Sequence, residues 1–152
     1  MLEIVIDGIP LAKKRHRTCR GRTYNPQYKE ATEFSARLAM AVVKAEKSDD
    51  SVKTLTNDAG QALGVELTFY MPMPLSLKRR ALKCELEPLP HHTKKPDVDN
   101  LVKFVLDCSN GILFADDKQI VQLKACKLYD HNPRIIIRLY RIDELNQPRE
   151  NN

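Results

Sequence analysis

Asp97, Asp99, Lys103, Asp107 and the pair Asp116-Asp117 are the residues of this chain whose types and spacing could do chemistry. The first three lie in the stretch Lys94-Lys95-Pro96-Asp97-Val98-Asp99-Asn100-Leu101-Val102-Lys103. Pro96 biases Lys95 towards extended backbone, so Asp97 and Asp99 stand two apart where extended chain enters a helix. Positions i and i+2 of an extended segment project to the same side, so both carboxylates could face one cation. Magnesium takes carboxylate and water oxygens, and two or three aspartates plus a phosphate are enough to hold it. Asp117 or its neighbour Asp116 would complete the set if a helix-turn-strand unit returned it. Lys103 follows Asp99 by one helical turn and is read as a buried lysine. Its ammonium would reach the scissile phosphate and offset the charge that builds there. Such a set supports metal-assisted, in-line hydrolysis of a phosphodiester.

The same residues also fit plain helix chemistry. Aspartates at a helix start cap amides and favour the helix dipole. Asp99 and Lys103 are spaced as an ordinary i,i+4 ion pair, and Asp116-Asp117 suits a turn. Spacing alone leaves both readings open. Cys84, His91, His92 and Cys108 lack the close cysteine pair of a zinc site and are read as reduced thiols and loop histidines. No local signature marks a cysteine or serine nucleophile. The five glycines are spread singly, which excludes a glycine-rich phosphate loop.

Cations crowd the chain upstream of the acidic stretch. Lys13, Lys14, Arg15, Arg17, Arg20 and Arg22 form one cluster, Lys78, Arg79, Arg80 and Lys83 another, and Lys94 and Lys95 abut the acids. With a net charge of +5, this pattern fits a phosphate backbone partner, or else a pair of solvated basic loops. At 152 residues the chain is expected to form one domain over 1–145, with 146–152 a disordered tail. No apolar run approaches a membrane span and the N-terminus lacks a signal-peptide core, so a cytoplasmic protein without membrane contact is expected. The scattered cysteines are read as reduced.

The elements that must position these residues can be read in order. Leu2, Ile4 and Ile6 alternate as a short strand. Residues 11 to 24 show no apolar period and read as a basic loop, with Tyr24 as a core anchor or a surface for a sugar or base. Asn25-Pro26 starts a helix that runs to about Lys47, with Phe34, Leu38, Ala41, Val42 and Ala45 on one face. Residues 48 to 63 read as a flexible connection. Val65 to Tyr70 form a second strand, stopped by Met71-Pro72-Met73-Pro74. Ser76 is expected to cap a short basic helix to about Glu85, and a loop with Pro88, Pro90, His91 and His92 follows. From Asp97 a helix carries Val98, Leu101, Val102, Val105 and Leu106 as its apolar stripe, and Asn110-Gly111 ends it. Ile112 to Ala115 read as a short extended piece, and Val121 to Tyr129 as a strand. Arg134 to Ile142 is apolar on both faces, so it should lie inside the sheet. The fold class is α+β: a small mixed sheet flanked by helices.

Taken together, Lys95 to Lys103, Asp107, Asn110-Gly111, Asp116-Asp117 and Gln119-Ile120-Val121 resemble the RusA-type endodeoxyribonucleases, Holliday junction resolvases common in bacteria and their prophages. The likeness extends to Gly8 and Pro10 with the basic run, Gly21 to Pro26, Met73-Pro74 and His92-Thr93-Lys94. It implies a homodimer that resolves four-way DNA junctions by paired, magnesium-dependent nicks in recombination and repair, with manganese able to substitute. It also implies that Asp97, Asp99 and Asp117 are the essential acids and metal ligands, with Asp116 a further candidate, and that Lys103 is the essential lysine. Asp107 falls on an acidic position and is assigned a supporting role. Lys13, Lys14, Arg15, Arg17, Arg20, Arg22, Lys94 and Lys95 are expected to bind DNA phosphates, with salt-sensitive affinity.

Overall fold

A computed structural model describes residues 1–48, 60–81 and 90–142. The expected tail at 146–152 lies outside these residues, as do most of the 48–63 connection and the end of the basic helix beyond residue 81.

Four strands form the main sheet: β1 (Leu2–Asp7), β4 (Leu63–Pro72), β5 (Ile120–Asp130) and β6 (Arg134–Arg141). Their order is β1-β6-β4-β5, with β1 and β4 antiparallel to β6, and β4 parallel to β5. The alternation in β1 works as read: Leu2, Ile4 and Ile6 are buried and the residues between them exposed. β6 sits between two partners, as its two apolar faces require. β4 runs two residues further at each end than its alternation indicates. Its ladder to β6 ends at Tyr70, so Pro72 breaks no bond on that side.

Parallel β4 and β5 need a crossover, and that crossover carries the acidic stretch. After β4 comes α2 (Leu75–Ala81), then α3 (Val98–Ser109). The amides of Leu77 and Lys78 bond to the Pro74 carbonyl, so α2 starts from Pro74 rather than from Ser76. α1 (Tyr28–Ser48) packs on β1 and α3. Phe34 meets Phe104 edge-on at 5.4 Å between ring centres, and Ser35 Oγ donates to the Cys108 carbonyl at 3.0 Å. The stripe of α3 is rotated from the expected one. Phe104 and Cys108 join Leu101, Val102 and Val105 in the core, while Val98 stays 38% exposed and Leu106 half-buried. The difference arises because α3 has α1 on one flank and an open cleft on the other.

The sheet face away from the helices carries a row of charged side chains. Glu3, Arg138, Glu66 and Lys124 occupy directly opposed positions on β1, β6, β4 and β5. They pair in sequence at 2.6, 4.0 and 3.7 Å. Cross-strand pairs of opposite sign suit a solvated face. On this face a Cβ added to Gly64 would stand 2.2 Å from the Tyr140 ring, which is buried opposite it. Gly64→Ala should therefore cost about 1–3 kcal/mol, the usual range for overpacking. A drop in chemical-denaturation midpoint checks this, and an unchanged midpoint contradicts it.

Two further local expectations fail. The segment 11–24 is not wholly loop: β2 (Arg17–Cys19) and β3 (Arg22–Tyr24) pair as an antiparallel ribbon. Arg20 and Gly21 both have positive φ, as a tight two-residue hairpin turn requires. Every residue of the ribbon strands is exposed, so no burial pattern announces it, and Tyr24 is 48% exposed rather than a core anchor. Ile112 to Ala115 is a turn, not an extended piece. The amides of Ile112 and Leu113 fold back onto the Ser109 carbonyl, Gly111 has φ +73°, and Leu113 and Phe114 plug into the core.

Candidate active site

Asp97 is the N-cap residue of α3, with φ −71° and ψ 146°. Its carbonyl accepts from the Leu101 amide at 3.2 Å, but its carboxylate makes no capping bond. The capping role that aspartate commonly takes is therefore not used here. Asp99 and Lys103 lie one turn apart on the exposed side of α3 and make no ion pair within 4.0 Å. Lys103 is exposed, which corrects the expectation of a buried lysine. Its position on α3 lies between the two apolar residues Val102 and Phe104, and the helix turns it out of the core.

The acidic pair divides its work. Asp116 caps the short 3₁₀ turn Asp117–Gln119: its carboxylate accepts from the Lys118 amide at 3.1 Å and pairs with the Lys118 ammonium at 3.2 Å. The hydrogen bond from the Lys118 amide, with the Lys118 side chain, holds the Asp116 carboxyl below its ordinary range. Gln119, buried, closes the box by accepting from the Ala115 and Asp116 amides at 2.9 and 3.2 Å. This arrangement leaves Asp117 exposed. It faces a cleft of about 430 Å³ whose lining includes Asp99, Lys103, Asp107 and Asp117, with Val98, Val102, Leu106, Leu123 and Ala125 as its apolar part.

The cleft thus unites Asp99, Lys103 and Asp117, with Asp97 at the helix start beside it and outside its lining. Among the described residues, no three His, Cys, Asp or Glu side chains gather closely enough for a preformed metal cluster. Hard carboxylate oxygens still suit magnesium, which is commonly held by one or two carboxylates together with substrate phosphate.

A second cleft of about 370 Å³ shares Lys103 and Asp107 with the first. Lys13, Lys14, Arg15, His16 and Asn100 complete its lining. Four contacts anchor this basic segment. The Lys13 amide donates to the Asn100 carbonyl at 2.8 Å, and the Lys13 ammonium pairs with Asp107 at 2.8 Å. Buried Gln27 accepts from the Lys14 amide at 2.5 Å and donates to the Ala12 carbonyl at 2.9 Å. Asp107 therefore ties the basic strip to α3. Arg17, Arg20 and Arg22 stand apart on the exposed ribbon, and Lys94 and Lys95 are exposed on the loop before Asp97.

Gln27, His16 and Asn100 were missed by sequence reasoning. Only Gln27 left a signal, a polar residue just before the helical stripe of α1. Of the residues drawn as possible zinc ligands, Cys108 is buried in α3 and His92 against Tyr129, while Cys84 lies outside the described residues. Burial, with Lys127 nearby, lowers the His92 pKa from its usual value.

A mixed α+β domain thus sets carboxylates and a lysine in one cleft, bordered by an anchored basic strip. The chain belongs to the endodeoxyribonuclease RusA family, whose model matches residues 7–140. It is also 37% identical over 86 residues to the uncharacterized protein YqaN of Bacillus subtilis (strain 168). That alignment covers 53% of this chain and 58% of YqaN, so the chain spans a little over half the length of this curated relative. Among the described residues, no helix is long and apolar enough to cross a membrane.

Proposed function

We propose that this chain is a metal-dependent endodeoxyribonuclease that resolves four-way DNA junctions by paired nicks, in DNA recombination and repair in the cytoplasm. One observation carries the reading: Asp99, Lys103 and Asp117 share a cleft with none of the three consumed by a cap or a mutual ion pair. Family membership supports the same activity.

Asp97, Asp99 and Asp117 would hold magnesium, or manganese in its place, while Asp116, a further candidate, already caps the 3₁₀ turn. When bound, such an ion lends Lewis-acid stabilisation to the phosphoryl group and lowers the pKa of a water. Lys103 places its ammonium beside the acids and offsets charge on the non-bridging oxygens as the bond breaks. Lys13, Lys14, Arg15 and His16 line the adjoining cleft and receive flanking phosphates of the same strand. The exposed ribbon offers Arg17, Arg20 and Arg22 to a second duplex arm, and exposed Lys94 and Lys95 extend the contact along the loop before Asp97. A four-way junction has near two-fold symmetry, so a homodimer presents two equivalent clefts to opposed strands.

The test is a substrate comparison. A synthetic four-way junction, a flap, a fork and a plain duplex of matched sequence are incubated with magnesium. Preferential cleavage of the junction is expected. Equal cleavage of all four substrates would make the chain a general branched-DNA or duplex nuclease. Tight junction binding without cleavage would make it a binding module.

A further inference from the structure

Lys127 is an odd residue for its position. In the β4–β5 register it lies opposite Phe69, on the same sheet face as Ala125 and Tyr129, the face that packs under the helices. Among the described residues its ammonium has no carboxylate within ion-pairing distance. It donates instead to two backbone carbonyls, Lys94 at 2.8 Å and Pro96 at 2.7 Å. Those carbonyls flank the Lys95–Pro96 peptide, and Asp97 is the next residue. The main chain of Lys127 grips the same segment: its carbonyl accepts from the His92 amide at 3.0 Å. One step along, the Tyr129 amide donates to the Pro90 carbonyl at 2.8 Å, and His91 bridges Leu128 in antiparallel register. Residues 90–92 thus dress the free edge of β5, and the Lys127 side chain carries the attachment on to the last residue before Asp97.

We propose that Lys127 is a positioning residue for the acidic site. By bridging the Lys94 and Pro96 carbonyls it fixes the entry of chain into α3, and so holds Asp97 beside the cleft with its carboxylate free of capping. Charge-assisted bonds to carbonyls are about twice as strong as neutral ones, so two of them restrain a loop effectively. The proposal rests on the nuclease reading for what Asp97 does, but not for how Asp97 is held.

The test uses Lys127→Ala, Lys127→Met, which keeps the apolar stem, and Lys127→Arg in the full chain. Hydrogen exchange at residues 97–101, measured without DNA or metal, should speed up in the alanine and methionine variants and be restored towards wild type by arginine. In cleavage assays the magnesium concentration for half-maximal rate should rise about tenfold or more, the size typical of lost supporting contacts around a metal site. Junction affinity without metal should change less than about twofold, since a group already bonded to two carbonyls is not reading phosphate. Unchanged exchange in both alanine and methionine variants overturns the proposal, as does a fall in junction affinity with the magnesium requirement unaltered. If the wild-type chain cleaves no DNA, the nuclease reading fails, and the exchange measurement alone decides whether Lys127 holds the loop.

Discussion

Asp117→Asn should abolish junction cleavage while its neighbour, Asp116→Asn, leaves most of it. The two residues are adjacent and chemically identical, so the comparison isolates geometry. Asp117 faces the cleft with Asp99 and Lys103. Asp116 is turned into the cap of the 3₁₀ turn, bonded to the amide and ammonium of Lys118. Asparagine caps about as well as aspartate, so Asp116→Asn keeps the turn and loses only an exposed pair with Lys118, which is worth little. Single-turnover rates on a four-way junction should fall by at least about 10³-fold for Asp117→Asn, as expected when several kcal/mol of charge stabilisation at the phosphoryl group is withdrawn. For Asp116→Asn the rate should stay within about threefold, as for other surface changes. Junction affinity of Asp117→Asn, measured without metal, should hold or tighten, because a negative charge leaves the DNA cleft. Equal losses in the two variants would mean that the acidic pair matters only as a turn.

Lys103→Ala carries the second large effect, and it separates catalysis from helix chemistry. If Lys103 served mainly to pair with Asp99 on α3, its removal would cost a few tenths of a kcal/mol of stability and no activity. Asp99 and Lys103 form no such pair, and Lys103 is exposed between the two clefts that also share Asp107. Cleavage should therefore fall by about 10²–10³-fold, the usual loss for one preorganised donor to a developing oxyanion. The unfolding midpoint should barely move, since exposed side chains away from caps and cores change stability by under about 0.5 kcal/mol. Affinity should drop modestly, by the share of one phosphate contact among several. A destabilised variant that still cleaves would return Lys103 to an ordinary structural role.

What could be read in advance was whatever repeats with the period of its element. The alternation of Leu2, Ile4 and Ile6 located β1, the two apolar faces of Arg134 to Arg141 located an inner strand, and the Phe34-Leu38-Val42 stripe located α1. The mixed α+β class followed from these. The ribbon at Arg17 to Tyr24 escaped because a strand pair with no buried face has no pattern to show. Its available signal was the Arg20-Gly21 pair between two threonine-bearing segments. The stripe of α3 was misplaced by one edge because Val98 and Leu106 border the cleft, where an apolar residue need not be buried. The chemistry of the acids was harder to read than their placement. Spacing left both capping and catalysis open for Asp97, and the structure shows only that its carboxylate makes no cap bond. The division between Asp116 and Asp117 depends on the Lys118 and Gln119 bonds within one tight turn. The contacts of Gln27 and Lys127 join segments 13 to 33 residues apart, and long-range polar bonds leave no periodic trace.

The central claim is that the cleft between α3 and β5 hydrolyses DNA at a branch point, in symmetric pairs. The most direct measurement is nick mapping on a four-way junction labelled in turn on each strand, incubated with magnesium and the wild-type chain. The expected result is cleavage at matching positions on two opposed strands, giving ligatable linear duplexes. No cleavage in magnesium or manganese, or nicks scattered without strand symmetry across junction and duplex alike, would contradict the account.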